Sequence, residues 1–181
     1  MRLLLRWRAG AALLLIFLSA VAFAQRRRDP LTDQETDQMR DTALNPNERF
    51  KLYIKFTDAR LLAIDQLRAD PKMASDRGLR IHDLLEDVSN LVEETEDNVD
   101  AYEKQDLDMR KGLNAVIQAT SGWQLRLRAL KDAAAKDTAE SHDYSFVLDT
   151  AIDSVNELAD DARQTLQDQD KEKQTKKKKK Q

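Results

Sequence analysis

The side chains best suited to metal binding are the two histidines and their acidic neighbours. His82 and Glu86 are four positions apart, which places them on one face of a helix, and His142 is followed by Asp143. Imidazole nitrogens and carboxylate oxygens are ligands that zinc and copper accept. The two histidines are far apart in the sequence, however, and the chain has neither an HExxH motif nor a cysteine. We therefore predict no metal site and no bound cofactor.

A run of carboxylates follows His82, and such a run could bind calcium. It consists of Glu93, Glu94, Glu96, Asp97, Asp100, Glu103, Asp106 and Asp108. A calcium loop of the EF-hand type places oxygen ligands on a tight turn, with glycine at its sixth position and glutamate at its twelfth. The segment 93–108 has no glycine and has helical spacing. We interpret it as a solvated helix face, and cation binding by this acidic face is the least favoured of three functional hypotheses.

Sequence signatures of catalysis are absent. The chain has no GxSxG or SxxK motif, no thiol, and only four scattered glycines, which cannot form a phosphate-binding loop. We predict that the protein is not an enzyme.

Basic residues are concentrated near the two ends of the sequence. The segment 171–181 has seven lysines and one glutamate, whereas residues 29–170 have 17 basic and 32 acidic residues. Each lysine near an anionic membrane contributes about 1 kcal/mol, a contribution that salt screens. We predict contact with lipid headgroups or an anionic envelope polymer. The predicted contact residues are Arg26, Arg27, Arg28, Lys176, Lys177, Lys178, Lys179 and Lys180. A nucleic-acid partner is disfavoured, because the acidic body would repel phosphate. The alternative is a solvated tail without a partner.

Residues 1–24 have the pattern of a signal peptide. Arg2, Arg6 and Arg8 precede an apolar run that ends in Ala22-Phe23-Ala24, the small-x-small pattern of a cleavage site. We predict cleavage after Ala24 and a periplasmic or secreted protein. The alternative is an uncleaved N-terminal membrane anchor, because Arg26–Arg28 remove the charge asymmetry across the apolar run. Its sixteen residues are fewer than the ~20 that usually span a bilayer.

The remaining sequence is typical of helices packed without disulfides. Cysteine is absent, and the helix-breaking residues glycine and proline are few. Thr32 and Glu35 fit a capping box, and Asn45-Pro46 fits a helix start. Apolar residues at a, d and e positions run from Ile81 to Leu130, with a predicted turn near Lys104–Gly112. Ser141 is the predicted cap of the last helix, and Phe146 and Ile152 are predicted to lie alongside its apolar face.

These features predict an all-α fold, an antiparallel bundle of four long helices plus a short N-terminal helix. We divide the chain into a signal peptide (1–24), a polar leader with a short helix (25–44), the bundle (45–170) and a disordered lysine-rich tail (171–181). In such a bundle both basic segments would meet at one end. The favoured function is an exported, non-enzymatic binding or structural protein held at an anionic surface. The alternative is a homodimeric coiled-coil scaffold formed through residues 81–134.

Overall fold

The structure, a computed structural model, describes residues 29–178, and the regular structure in that range is entirely helical. The helices are α1 (Asp33–Asp41), α2 (Pro46–Ala69), α3 (Arg77–Glu103), α4 (Arg110–Ala134), α5 (Thr138–Ser141) and α6 (Ser145–Lys178), with a 3-10 turn at Pro71–Met73. The predicted all-α class is confirmed. The predicted signal peptide, Arg26–Arg28, Lys179 and Lys180 lie outside the described residues.

Local sequence signals account for the starts of the first two helices. The Thr32 hydroxyl accepts a hydrogen bond from the Glu35 amide (3.3 Å), and the Glu35 carboxylate accepts one from the Thr32 amide (2.9 Å). The Asn45 side chain accepts a hydrogen bond from the Glu48 amide (3.3 Å), and Pro46 occupies the first helical position. Both predicted caps are confirmed, because each depends only on residues within one turn.

The predicted break in the long apolar pattern is also confirmed. Residues 104–109 form the turn between α3 and α4. Asp106 has a φ of 55°, in the left-handed region that aspartate tolerates better than most residues. The turn therefore divides the heptad pattern into two helices.

Near α6 the structure corrects two expectations. Ser141 does not cap the last helix; it is the final residue of α5, whose cap is Asp137, and α6 begins at Ser145. Phe146 is 82% exposed. It is two positions before the buried Leu148, and two residues rotate about 200° around a helix, so both cannot face the core.

The end of α6 also differs from expectation. The helix continues to Lys178 instead of becoming disordered after residue 170. Lys171 pairs with Asp168 (2.9 Å) and Lys176 with Glu172 (3.4 Å), spacings that favour a helix.

The long helices pack in four neighbouring pairs: α2 with α3, α3 with α6, α6 with α4, and α4 with α2. The short helix α1 packs on α2. The apolar residues of the predicted heptad are buried in this shared core, among them Ile81, Leu85, Val88, Leu91, Val92 and Val99. The stripe that would join two copies is thus used within one chain. The homodimer stays a prediction, and light scattering of the purified protein would test it.

Candidate functional site

The candidate surface contact is the C-terminal part of α6, residues 171–178, which we name the lysine extension. Lys171, Lys173, Lys176 and Lys178 are all exposed. Lys176 contacts Asp106 (3.7 Å) and Glu172 (3.4 Å), both on the surface. Exposed ion pairs of this kind stabilise by only 0–1 kcal/mol, so they do not hold the lysines away from a stronger anionic partner.

The base of the lysine extension is fixed to the α3–α4 turn by one side-chain amide. Gln169 donates to the Leu107 carbonyl (2.8 Å) and accepts from the Met109 amide (3.1 Å). Because a single amide satisfies two backbone groups of the turn, the turn and α6 are held in register. A cleft of about 270 Å³ lies beside this contact, lined on the α6 side by Gln169, Glu172, Lys173 and Lys176.

Charge pairing strengthens the same junction. The Arg110 guanidinium hydrogen-bonds Asp108 and contacts Asp170 at 3.6 Å. The hydrogen bond from Arg110 lowers the pKa of Asp108 to about 2. The Asp108 carboxylate therefore stays ionised at neutral pH, and the contact of Arg110 with Asp170 joins the start of α4 to α6.

The first described residues lie along α2. Arg26–Arg28 are outside the described range, so the meeting of both basic segments at one end stays a prediction. The Arg60 guanidinium donates to the Pro30 carbonyl (2.6 Å), and Arg49 donates to the Met39 carbonyl (2.8 Å), so α1 folds back along α2. Arg60 is about 21 Å along α2 from Pro46 at 1.5 Å per residue. Pro30 therefore lies against the side of α2 and not beside its first turn.

A groove of about 660 Å³ lies where the N-terminal segment crosses α2 and α3. Its walls are mixed, with Leu31, Leu67 and Leu84 beside the charged Arg60, Arg80 and Asp87. Arg60 is bound to Glu35 and lies 3.8 Å from Asp87. These ion pairs connect residues 25 and 27 positions apart in the sequence, and no local pattern in the sequence pointed to them.

Acidic residues are concentrated on two adjacent helices. Residues 81–103 of α3 and 145–162 of α6 contain 14 carboxylates and no lysine or arginine. Glu96 lies between these helices, and burial raises its pKa to about 7, with Asp161 and Glu157 of α6 adding to the shift. The predicted solvated acidic face therefore contains two half-buried carboxylates, Glu94 and Glu96, and burial raises the pKa of each.

One group among the described residues has the composition of a metal site. His82, Asp83 and Glu86 each offer a ligand atom within 4.8 Å of the others. His82 is half-buried and the two carboxylates are exposed. His142, the other predicted candidate, does not belong to this group. Exposed acidic groups often have this geometry without an ion, and no second observation points to one here.

Comparison with protein-family models, curated proteins and solved structures found no match to this chain. Among the described residues, the helices lack the combined length and hydropathy that crossing a bilayer requires.

Proposed function

We propose that this chain is an exported, non-enzymatic helical protein that binds an anionic envelope surface through its lysine extension and acts there as a binding or structural module. The observation that carries the proposal is the continuation of α6 as an exposed, lysine-rich helix to Lys178. Export rests on the signal-peptide pattern of residues 1–24.

The proposal includes a four-helix bundle in which successive helices are antiparallel. Contacts between α2 and α3 join Tyr53 to Glu94 and Arg60 to Asp87, so residue numbers rise on one helix as they fall on the other. The α4–α6 contacts do the same, joining Gln124 to Asn156 and Lys131 to Asp149. Antiparallel neighbours are typical of helical bundles with short connections.

The pair α2 and α4 runs in one direction in this arrangement. Trp123 donates to Asp58 (2.8 Å), and Arg126 contacts Asp65 (3.8 Å), so both sets of residue numbers rise together. The starts of α2 and α4 and the end of α6 therefore lie at one end of the bundle. Asn47 donates to the Asp108 carbonyl there (3.0 Å), beside the turn that Gln169 holds.

Electrostatics supports reversible attachment at that end. The lysine extension and the two following lysines contain seven positive charges over ten residues. At about 1 kcal/mol for each lysine near an anionic membrane, the sum is enough for binding at low salt and is weakened by screening. The acidic α3–α6 side is repelled by the same surface, so contact through the end of the bundle is favoured over contact through that side.

Vesicle sedimentation tests the proposal. The mature chain from Gln25 is mixed with vesicles of phosphatidylcholine containing a large fraction of phosphatidylglycerol, at 25 mM and 300 mM NaCl. We expect it to pellet with these vesicles at low salt and to be released at high salt. It should not pellet with vesicles of pure phosphatidylcholine. Replacing the five lysines Lys176–Lys180 by glutamine should weaken pelleting by about tenfold or more.

A matched control removes five positive charges elsewhere on the chain. Its glutamine substitutions are at Lys51, Lys55, Lys72, Lys131 and Lys136. This control should keep most of the pelleting, because its charges are not at the proposed contact. Equal loss of pelleting in both variants would show that only the total charge matters. That result would contradict the lysine extension as the contact site. No pelleting of the unmodified chain by anionic vesicles or isolated envelope polymer would contradict the function.

A further inference from the structure

Glu96 lies in the interface between α3 and α6 beside a small cavity. One of its carboxylate oxygens, Oε1, is buried and makes no hydrogen bond. The cavity has a volume of about 180 Å³. Val99 and Asp100 line it from α3, and Leu158, Asp161 and Thr165 line it from α6. A buried carboxylate oxygen without a donor favours the protonated state of its group, because a neutral carboxyl loses less hydration on burial.

The groups around Glu96 also favour its neutral form. Glu93 and Asp97 act on it from α3, and Glu157 and Asp161 act on it from α6. The arginine that follows them on α6, Arg163, forms an ion pair with Asp160 (2.8 Å). Like charges within a few ångströms raise the proton affinity of a carboxylate, and here they come from both helices.

The other helices contribute their charges away from this position. From α2, Arg49 and Tyr53 lie beside Glu94, which is two positions before Glu96 on α3. From α4, Arg110 contacts Asp170 and Lys131 contacts Asp149, towards the two ends of α6. Gln164 lines the cavity, and its side chain donates to Asp168 (2.6 Å).

We propose that the contact between α3 and α6 is a pH-sensitive device, closed when Glu96 is protonated and loosened when Glu96 is ionised. An ionised Glu96 adds a negative charge beside the carboxylates that already act on it from both helices. Moving the helices apart would admit water to the cavity and hydrate the charge. The proposal is independent of the surface contact of the lysine extension, because it concerns a different part of the bundle.

The direction of the pH dependence follows from linkage. Burial raises the pKa of Glu96 to about 7 from 4.5, so the folded state binds its proton more tightly than the unfolded chain does. The resulting stabilisation is complete below about pH 4.5 and is lost as pH rises through about 7. Between pH 5.5 and pH 8.0 the wild-type contact should therefore weaken.

Urea unfolding of the full mature chain and its Glu96→Gln variant tests this directly. Glutamine has nearly the shape of protonated glutamate and does not titrate. At pH 8.0 we expect the variant to have an unfolding equilibrium constant at least about tenfold lower than wild type. At pH 4.0, below the pKa of glutamate in the unfolded chain, the two should agree within about twofold. The control is Glu103→Gln, at an exposed glutamate of the same helix. It should leave the unfolding equilibrium constant unchanged at both pH values.

Two further measurements separate the proposal from a purely structural role of Glu96. Carbon-13 NMR of the wild-type glutamate carboxyl groups should give Glu96 a titration midpoint near pH 7. Amide hydrogen exchange, corrected for intrinsic rates, should show protection near Leu158 that falls from pH 6 to pH 8 in wild type and stays constant in Glu96→Gln. A midpoint below about pH 5.5, or parallel pH profiles for wild type and Glu96→Gln, would overturn the proposal.

Discussion

Arg60 joins three separate segments of the chain. Its guanidinium donates to Glu35 (2.5 Å) and to the Pro30 carbonyl (2.6 Å), and it lies 3.8 Å from Asp87. The side chains of Arg60, Glu35 and Asp87 are only 11–14% exposed. Charges at this depth depend on each other, because removing one takes away part of what offsets the desolvation of the others. Arg60 therefore fixes the N-terminal segment and α1 to the side of α2.

Replacement of Arg60 should be among the most damaging substitutions at a charged position. We expect Arg60→Met to lower the free energy of unfolding by about 2–4 kcal/mol, because Glu35 and Asp87 lose their cation. Arg60→Lys should lose less, since it keeps the charge but not the forked hydrogen bonds. Urea unfolding at pH 7 measures both. Lys55→Met, which removes an exposed cation from the same helix, is the control and should cost under about 0.5 kcal/mol.

The stabilisation from the Arg60–Glu35 pair depends on pH in a defined direction. The hydrogen bond from Arg60 lowers the pKa of Glu35 below its usual value of 4.5. Its stabilisation is therefore present above about pH 4.5 and is lost as pH falls further. The stability difference between wild type and Arg60→Met should shrink below pH 4. A difference that stays constant down to pH 3 would show that Arg60 acts through packing alone.

At the scale of helices, α2 and α4 approach closely where Gly112 faces Phe50. The Gly112 amide donates to the Asn47 side chain (2.7 Å), which in turn donates to the Asp108 carbonyl (3.0 Å). A Cβ at Gly112 would lie 2.5 Å from Phe50 Cδ2 and 3.2 Å from the Asn47 backbone. Glycine is thus required here by space, because a methyl group would push the helices apart.

The two glycines of α4 provide a matched pair of substitutions. Gly112→Ala should lower the free energy of unfolding by about 1–3 kcal/mol through overpacking against Phe50. Gly122→Ala should raise it by about 0.5–1 kcal/mol, because nothing lies within 4 Å of a Cβ there and alanine favours helix. Thermal unfolding compares the two directly. Stabilisation by both substitutions would mean that α2 and α4 are further apart than the structure places them.

The sequence could predict those structural features that depend on residues close together in the chain. The caps at Thr32 and Asn45 and the turn after Glu103 depend on residues within one or two turns, and all three were predictable. The extent of α6 was not, because Gln169 and Lys176 contact residues of a turn that lie 62 and 70 positions earlier. The position of Glu96 was equally hidden. Its carboxylate looks like its solvated neighbours until α6 is packed against it.

For the whole molecule, the main feature is that charge is divided between two long sides. The adjacent helices α3 and α6 carry 14 carboxylates and no lysine or arginine over residues 81–103 and 145–162. The adjacent helices α2 and α4 together carry ten basic and four acidic residues. Repulsion within the acidic side opposes folding at neutral pH, and dissolved salt screens it, with a Debye length of about 10 Å at 0.1 M.

Salt should therefore stabilise this protein. We expect the thermal midpoint at pH 8 to rise by about 3–6 °C between 10 mM and 500 mM NaCl, which corresponds to roughly 1 kcal/mol for a domain of this size. Replacing Asp97 and Asp161 by asparagine and Glu157 by glutamine should remove much of that rise. Replacing Asp41, Asp76 and Asp132 by asparagine changes the net charge equally and should leave it in place. A midpoint that falls with salt would show that ion pairs such as Arg60–Glu35 outweigh repulsion on the acidic side, and electrostatics would then favour the folded bundle as a whole.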